Sequence, residues 1–169
     1  MERRRRDRLP LDERAMIATS ASEALIGKSD SFWNRGVEVF ASSCSIRWDI
    51  AANRFYYGML LAVCAYACKF RGMHVEQGNP NVHQEAKALV QAIANKHTEF
   101  LRFLRPYERL RSARAKADYW DCHVLPSELT PEDVIKPANE IRRMFIAAAK
   151  KETDEFRDVE FVPFGKMSL

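Results

Sequence analysis

Apolar residues recur along most of the chain at the i, i+3/i+4, i+7 spacing of helices, and no alternating strand pattern interrupts them. The strongest prediction is a Pro-free helix from Arg47 to Phe70, closed by Gly72. In it Trp48, Ala52, Phe55, Tyr56, Met59, Val63 and Ala67 fall on one line. Its other side carries Ala51, Gly58, Ala62 and Ala65, a lane of small residues that lets a neighbouring helix approach closely. Apolar on most faces, this segment reads as the central helix of a bundle.

The flanking segments follow from their start and stop residues. A first helix is predicted from Leu11 to Ile26, stopped by Gly27, and a second from Ser31 to about Ser42, capped by Asp30. Turn chemistry at Gly78-Asn79-Pro80 precedes a helix from Asn81 to about Lys96, with Asn81 and Gln84 spaced as a capping box. Helical pattern resumes from Glu99 to Asp121 with a break or kink expected at Pro106. After a loop at Val124–Leu129, Thr130-Pro131-Glu132-Asp133 reads as the start of a last helix running to about Glu155, bent at Pro137. Short connections between amphipathic helices favour antiparallel neighbours, so the expected fold is all-α, an up-and-down bundle of about five or six helices.

Length and composition narrow the class. At 169 residues, 47% hydrophobic and 30% charged, the chain has the length of one domain and the composition of a globular one. The longest uncharged stretch, Phe55 to Cys68, is fourteen residues, short of a membrane span. Asp12, Glu13 and Glu23 stand where a signal peptide would need its apolar core, so the expected location is cytoplasmic. The divisions expected are a basic arm over residues 1–10, the bundle over 11–156, and a loose tail over 157–169. The arm holds Arg3, Arg4, Arg5, Arg6 and Arg8, a charge run of the kind usually found in a solvated terminus. Net charge is only +4, below what a dedicated duplex binder carries. Cys44, Cys64, Cys68 and Cys122 are read as small buried hydrophobes in a reducing compartment. No metal or cofactor is expected, because no zinc pattern, phosphate-cradling glycine loop or dinucleotide fingerprint is present.

One stretch departs from ordinary amphipathic patterning. At about 100° per residue, Phe103, Tyr107, Leu110 and Ala117 form an apolar stripe with Arg114 in its middle. A buried arginine needs a partner, and Asp118 at i+4 is the obvious one, with Arg111 at the stripe's edge. Such a pair either orders the bundle or holds a guanidinium in a cleft, where its fork suits phosphate. The opposite face carries Arg102, Arg105, Arg109 and Lys116, a row that could follow a phosphate backbone or form a solvated face.

The order of these elements resembles the HEPN superfamily (higher eukaryotes and prokaryotes nucleotide-binding domain). The likeness spans about residues 15–150. It rests on Arg54-Phe55-Tyr56-Tyr57-Gly58 in the central helix, His83 at a helix start, and Arg114-Ala115-Lys116-Ala117-Asp118-Tyr119 before the last helix. The resemblance implies a homodimeric helical bundle. It also implies either a metal-independent ribonuclease, toxin-like in some members, or a non-catalytic nucleotide- or RNA-binding module, or a partner of a small nucleotidyltransferase. Active members carry Arg followed four to six residues later by His. Here Arg114 matches, but Tyr119 occupies the histidine position and the next histidine is His123. Tyr, with a reference pKa near 10, transfers protons poorly near neutral pH.

Three functions follow as expectations. The first is a module binding RNA or nucleotide phosphate through Arg114 and Arg111, with Arg105, Arg109 and Lys116 as further contacts, or docking a nucleotidyltransferase. The second is a ribonuclease using Arg114, with His123 or Asp118 in proton transfer and Tyr119 hydrogen-bonding within the cleft. The third is a structural assembly protein. His83 itself is read as a capping or packing residue.

Overall fold

The computed structural model describes residues 10–73, 81–119, 123–161 and 163. Among them are five α-helices and no strand: α1 (Leu11–Phe40), α2 (Arg47–Arg71), α3 (Val82–Lys96), α4 (Leu104–Tyr119) and α5 (Lys136–Lys150). The fold is therefore an all-α helical bundle. No helix among the described residues is long and apolar enough to cross a membrane. The Arg-rich residues 1–9, His74, the Gly78–Pro80 turn and Cys122 lie outside the described residues.

α2 is the hub. Its longest seam is with α1, and α3, α4 and α5 all pack on it as well. Ala51, Ala52, Phe55, Tyr56, Met59, Ala62, Val63, Cys64, Ala65 and Tyr66 are buried along it. The small-residue lane does what small residues permit. A Cβ placed on Gly58 would stand 3.1 Å from the Trp33 amide nitrogen and 3.3 Å from the Ser29 carbonyl oxygen, both on α1. Ser29 Oγ donates to the Gly58 carbonyl at 2.7 Å, stitching the two backbones at their closest approach. Gly72 ends α2 in the left-handed region (φ 62°), and Met73 N–H reaches back to the Ala67 carbonyl.

Several expected boundaries move. The two short N-terminal helices are one, continuous through Gly27. The buried positions Ser22, Leu25, Ile26, Ser29, Trp33 and Gly36 form a single stripe across the expected break, and burying it outweighs the roughly 1 kcal/mol propensity cost of one glycine. Pro106 neither breaks nor kinks a helix. Thr98–Phe103 is a 3-10 segment, and α4 begins at Leu104, so Pro106 sits in a first turn where no N–H is required. The last helix is also redistributed: Pro131–Ile135 forms a π-turn, Pro137 stands in the first turn of α5, and α5 stops at Lys150. At the start of α3, Asn81 makes no side-chain capping bond.

The described residues just beyond α5, up to 161, are anchored, while residues 162 and 164–169 of the expected tail lie outside the described residues. Phe156 and Val159 are buried, and the Phe156 ring packs against Tyr66, Phe100, Phe145 and His97. Arg71 pairs with Asp154 at 3.0 Å and donates to the carbonyls of Phe156 and Val159. Lys69 donates to the carbonyls of Ala149 and Lys151 at the end of α5. Cys64 is buried as expected, and burial pushes its thiol pKa up. Cys44, in the turn between α1 and α2, is exposed.

Candidate functional site

The tyrosines of the central helix and the arginine of α4 meet in one cleft. On α2, Asn53, Tyr56 and Tyr57 follow i, i+3, i+4 spacing and face α4. On α4 the buried residues are Pro106, Tyr107, Leu110 and Ala113, so the apolar stripe drifts from Leu110 to Ala113 and leaves Arg114 on its edge. From there the guanidinium reaches the cleft with its side chain only 12% exposed.

Arg114 is held from several directions. Its Nε lies 2.8 Å from Asp118 Oδ2, close enough for an ion pair, although the N–H does not align as a hydrogen bond. An Nη donates to Tyr57 Oη at 2.8 Å and to Tyr119 Oη at 3.3 Å. The same guanidinium lies over the Tyr57 and Tyr119 rings, at 5.3 and 5.0 Å from their centroids. Burial works against its charge, yet the tyrosine hydroxyls and Asp118 more than compensate and raise its pKa. Asp118 is fixed in turn by Asn53, whose amide donates to both carboxylate oxygens at 3.0 and 3.3 Å.

Beside this arginine opens a cavity of about 320 Å³, lined by Tyr56, His83, Gln84, Arg111, Ser112, Arg114, Ala115 and Tyr119. His83 enters it from the first turn of α3, with Nδ1 2.9 Å from Tyr56 Oη and its ring parallel to that of Tyr56. Burial first, then Arg114 and Arg111, hold the His83 pKa below its ordinary value against the pull of Asp118. Burial pushes Tyr56 up to about 12, so its hydroxyl stays protonated at neutral pH. The cavity thus gathers two permanent cations, a histidine, and the positive end of the α3 dipole, a combination that favours an anion.

The residues singled out from sequence divide into three groups. Arg114, Asp118 and Tyr119 come together, and Arg111 joins them on the cavity wall. Arg111 is half-buried and lies 3.7 Å from Glu108. Arg105 and Arg109 line a different cavity, with Glu108 and Glu128. Arg109 donates to the Ser127 carbonyl at 3.1 Å, and Lys116 pairs with Glu128 at 2.8 Å, so these two cations hold the segment between α4 and α5. His123 stands apart from the arginine cavity. Its side chain is 80% exposed, and Nδ1 is 2.6 Å from Asp49, which lines a third cavity together with Asn53 and Asp118. Read from sequence as a capping or packing residue, His83 does pack on Tyr56 and Tyr57, and it also lines the arginine cavity, which no spacing in the sequence signals.

Among the described residues no cluster of three or more His, Cys, Asp or Glu side chains could hold a metal ion. No family model matches the chain, and no curated protein or solved structure is significantly similar to it.

Proposed function

We propose that this chain is a binding module for nucleotide or RNA phosphate, with Arg111 and Arg114 as the phosphate-contacting groups and Tyr119 as an aromatic surface for a base. The observation that carries this reading is the convergence of Arg111, Arg114 and His83 on one cavity of about 320 Å³, within the usual size range of small-ligand sites. Tyr119, 73% exposed and held over Arg114, presents a ring face on which a base can stack. The resemblance to the HEPN superfamily points to the same class of ligand. The homodimer that this resemblance implies would place two such cavities in one assembly.

The test is fluorescence anisotropy with labelled RNA and a competing mononucleotide across a salt series. Binding should weaken as salt rises and be lost in a folded Arg114→Ala variant. Salt-independent binding, or equal binding by the variant, overturns the reading.

A second reading, a metal-independent ribonuclease, gains from His83. A histidine opposite Arg114 supplies the near-neutral proton-transfer group that Tyr119 does not. Cleavage of RNA in excess chelator by wild type, absent in both Arg114→Ala and His83→Gln, would establish it.

A further inference from the structure

The charge around the cavity is concentrated at one point. The neighbouring cavity, which shares Ser112 with it, contains Glu108 and Glu128 beside Arg105 and Arg109, the latter already donating to a backbone carbonyl. A further cavity, lined by Asp118, contains Asp49 beside Arg54. A phosphodiester chain running along either of these two cavities would pass carboxylates, whereas a phosphate that ends the ligand stays in the arginine cavity, whose described lining holds none. Within the cavity, Arg114 is partly offset by Asp118 at 2.8 Å, and Arg111 has Glu108 at 3.7 Å. Two offset arginines balance one negative charge comfortably. A second negative charge calls for a third cation, and among the described residues of this wall the side chain able to become one is His83.

Resting on the phosphate-binding reading above, we propose that the cavity takes a terminal phosphate monoester, on a mononucleotide or a phosphorylated RNA end, and that His83 gains a proton as it binds. Among the described residues, the groups facing His83 are Tyr56 and Tyr57 from α2, Arg111, Arg114 and Asp118 from α4, and Gln84 from its own helix. In the empty site the two arginines outweigh Asp118 and keep the imidazole neutral. A dianion between them reverses that balance. The contribution of His83 to affinity is then complete at low pH and disappears as pH rises through the histidine's pKa in the complex. Tyr56, neutral throughout this range, accepts from Nδ1–H of the imidazolium and leaves Nε2–H for the ligand.

Isothermal titration calorimetry at pH 7.5, in two buffers of different ionisation enthalpy, tests this with three probes: adenosine 5′-monophosphate, a short 5′-phosphorylated RNA, and the same RNA with a 5′-hydroxyl. Above the second phosphate pKa of about 6 the monoester is already a dianion, so proton uptake reports the protein. The expected result is binding of one or both phosphorylated probes with uptake of up to about one proton, and at least about tenfold weaker binding of the hydroxyl RNA. Binding by the mononucleotide alone or the phosphorylated RNA alone identifies which carrier the site accepts. His83→Gln should abolish the uptake and weaken the monoester, while Tyr56→Phe, which keeps the ring, should reduce the uptake; thermal melts verify that both fold. Equal binding of the hydroxyl RNA, or monoester binding without proton uptake, overturns this inference and leaves the phosphate-binding reading standing. Failure of all three probes to bind overturns both.

Discussion

Two arginines in this molecule have nearly the same surroundings and different consequences. Arg142 on α5 lies over the Trp33 ring at 5.4 Å, and its three nitrogens donate to Ser29, Asn139 and Asp30. Arg114 on α4 also lies over aromatic rings and pairs with an aspartate. Arg142 spends its whole fork on protein acceptors, two of its nitrogens joining α5 to α1 and the third bonding Asn139 on its own helix, and burial lowers its pKa. Arg114 is steadied by hydroxyls and a carboxylate at one edge while the cavity shared with Arg111 and His83 opens beside it. A buried arginine with an aspartate is therefore not diagnostic. What separates a tie from a site is whether the guanidinium faces protein acceptors alone or also a cavity holding a second cation.

The sharpest test of that contrast exchanges the two losses. Arg114→Ala should weaken a phosphate ligand by about 100-fold, the scale of a lost charge-assisted fork, with a small change in melting temperature. Arg142→Ala should leave binding unchanged and cost about 2–3 kcal/mol of stability in urea titrations, because buried Ser29 and half-exposed Asp30 lose their partner. Equal destabilisation by both variants, with no ligand effect from either, would dissolve the distinction.

A smaller loss, about 2 kcal/mol, is expected for Gly58→Val. The added methyls must push Trp33 and the α1 backbone away from the seam that Arg142 also braces. Arg142→Met should cost less than about 1 kcal/mol, since an apolar side chain of similar length often replaces a buried charge without penalty. A Met variant as unstable as the Ala variant would mean that the charge itself, rather than the filled volume, holds α5 in place.

The smallest effect is on pH dependence. The folded-state pKa of His83 lies below its unfolded value, so the unfolded chain binds the proton more readily. Its contribution to stability therefore rises with pH and levels off above about 6.5. Urea midpoints at acid and neutral pH should differ less in His83→Gln than in wild type, and an unchanged difference would assign the acid sensitivity elsewhere.

Helices were legible wherever periodicity and termination agreed. α2 follows its apolar line from Arg47 and stops one residue before Gly72, because that glycine adopts a left-handed conformation few other residues tolerate. Gly27 misled because a stop signal is local, whereas the stripe from Ser22 to Gly36 is buried against a helix that arrives later in the chain. The Arg114–Asp118 pair could be read from i, i+4 spacing alone. His83 could not be joined to it, because the start of α3 and the middle of α4 are far apart in sequence and are brought together against Tyr56 and Tyr57 on a third helix. The row Arg105, Arg109 and Lys116 left a phosphate track and a solvated face both open, because the segment carrying Ser127 and Glu128 had no periodicity to place it against α4.

The anchoring of the chain's later residues by Lys69 and Arg71 has a consequence for the order of assembly during synthesis. These contacts join residues 80 to 88 positions apart, while the α1–α2 seam at Ser29 and Gly58 spans only 29. Loop-closure entropy and vectorial emergence from the ribosome both favour the shorter loop, so the α1–α2 pair can form as a hairpin while the rest is still being made. The far end of α2, with Tyr66 and the neighbouring apolar surface, is not fully covered until α5 and the residues up to 159 have been made. Over that interval the nascent chain presents a sticky patch that a holding chaperone could occupy.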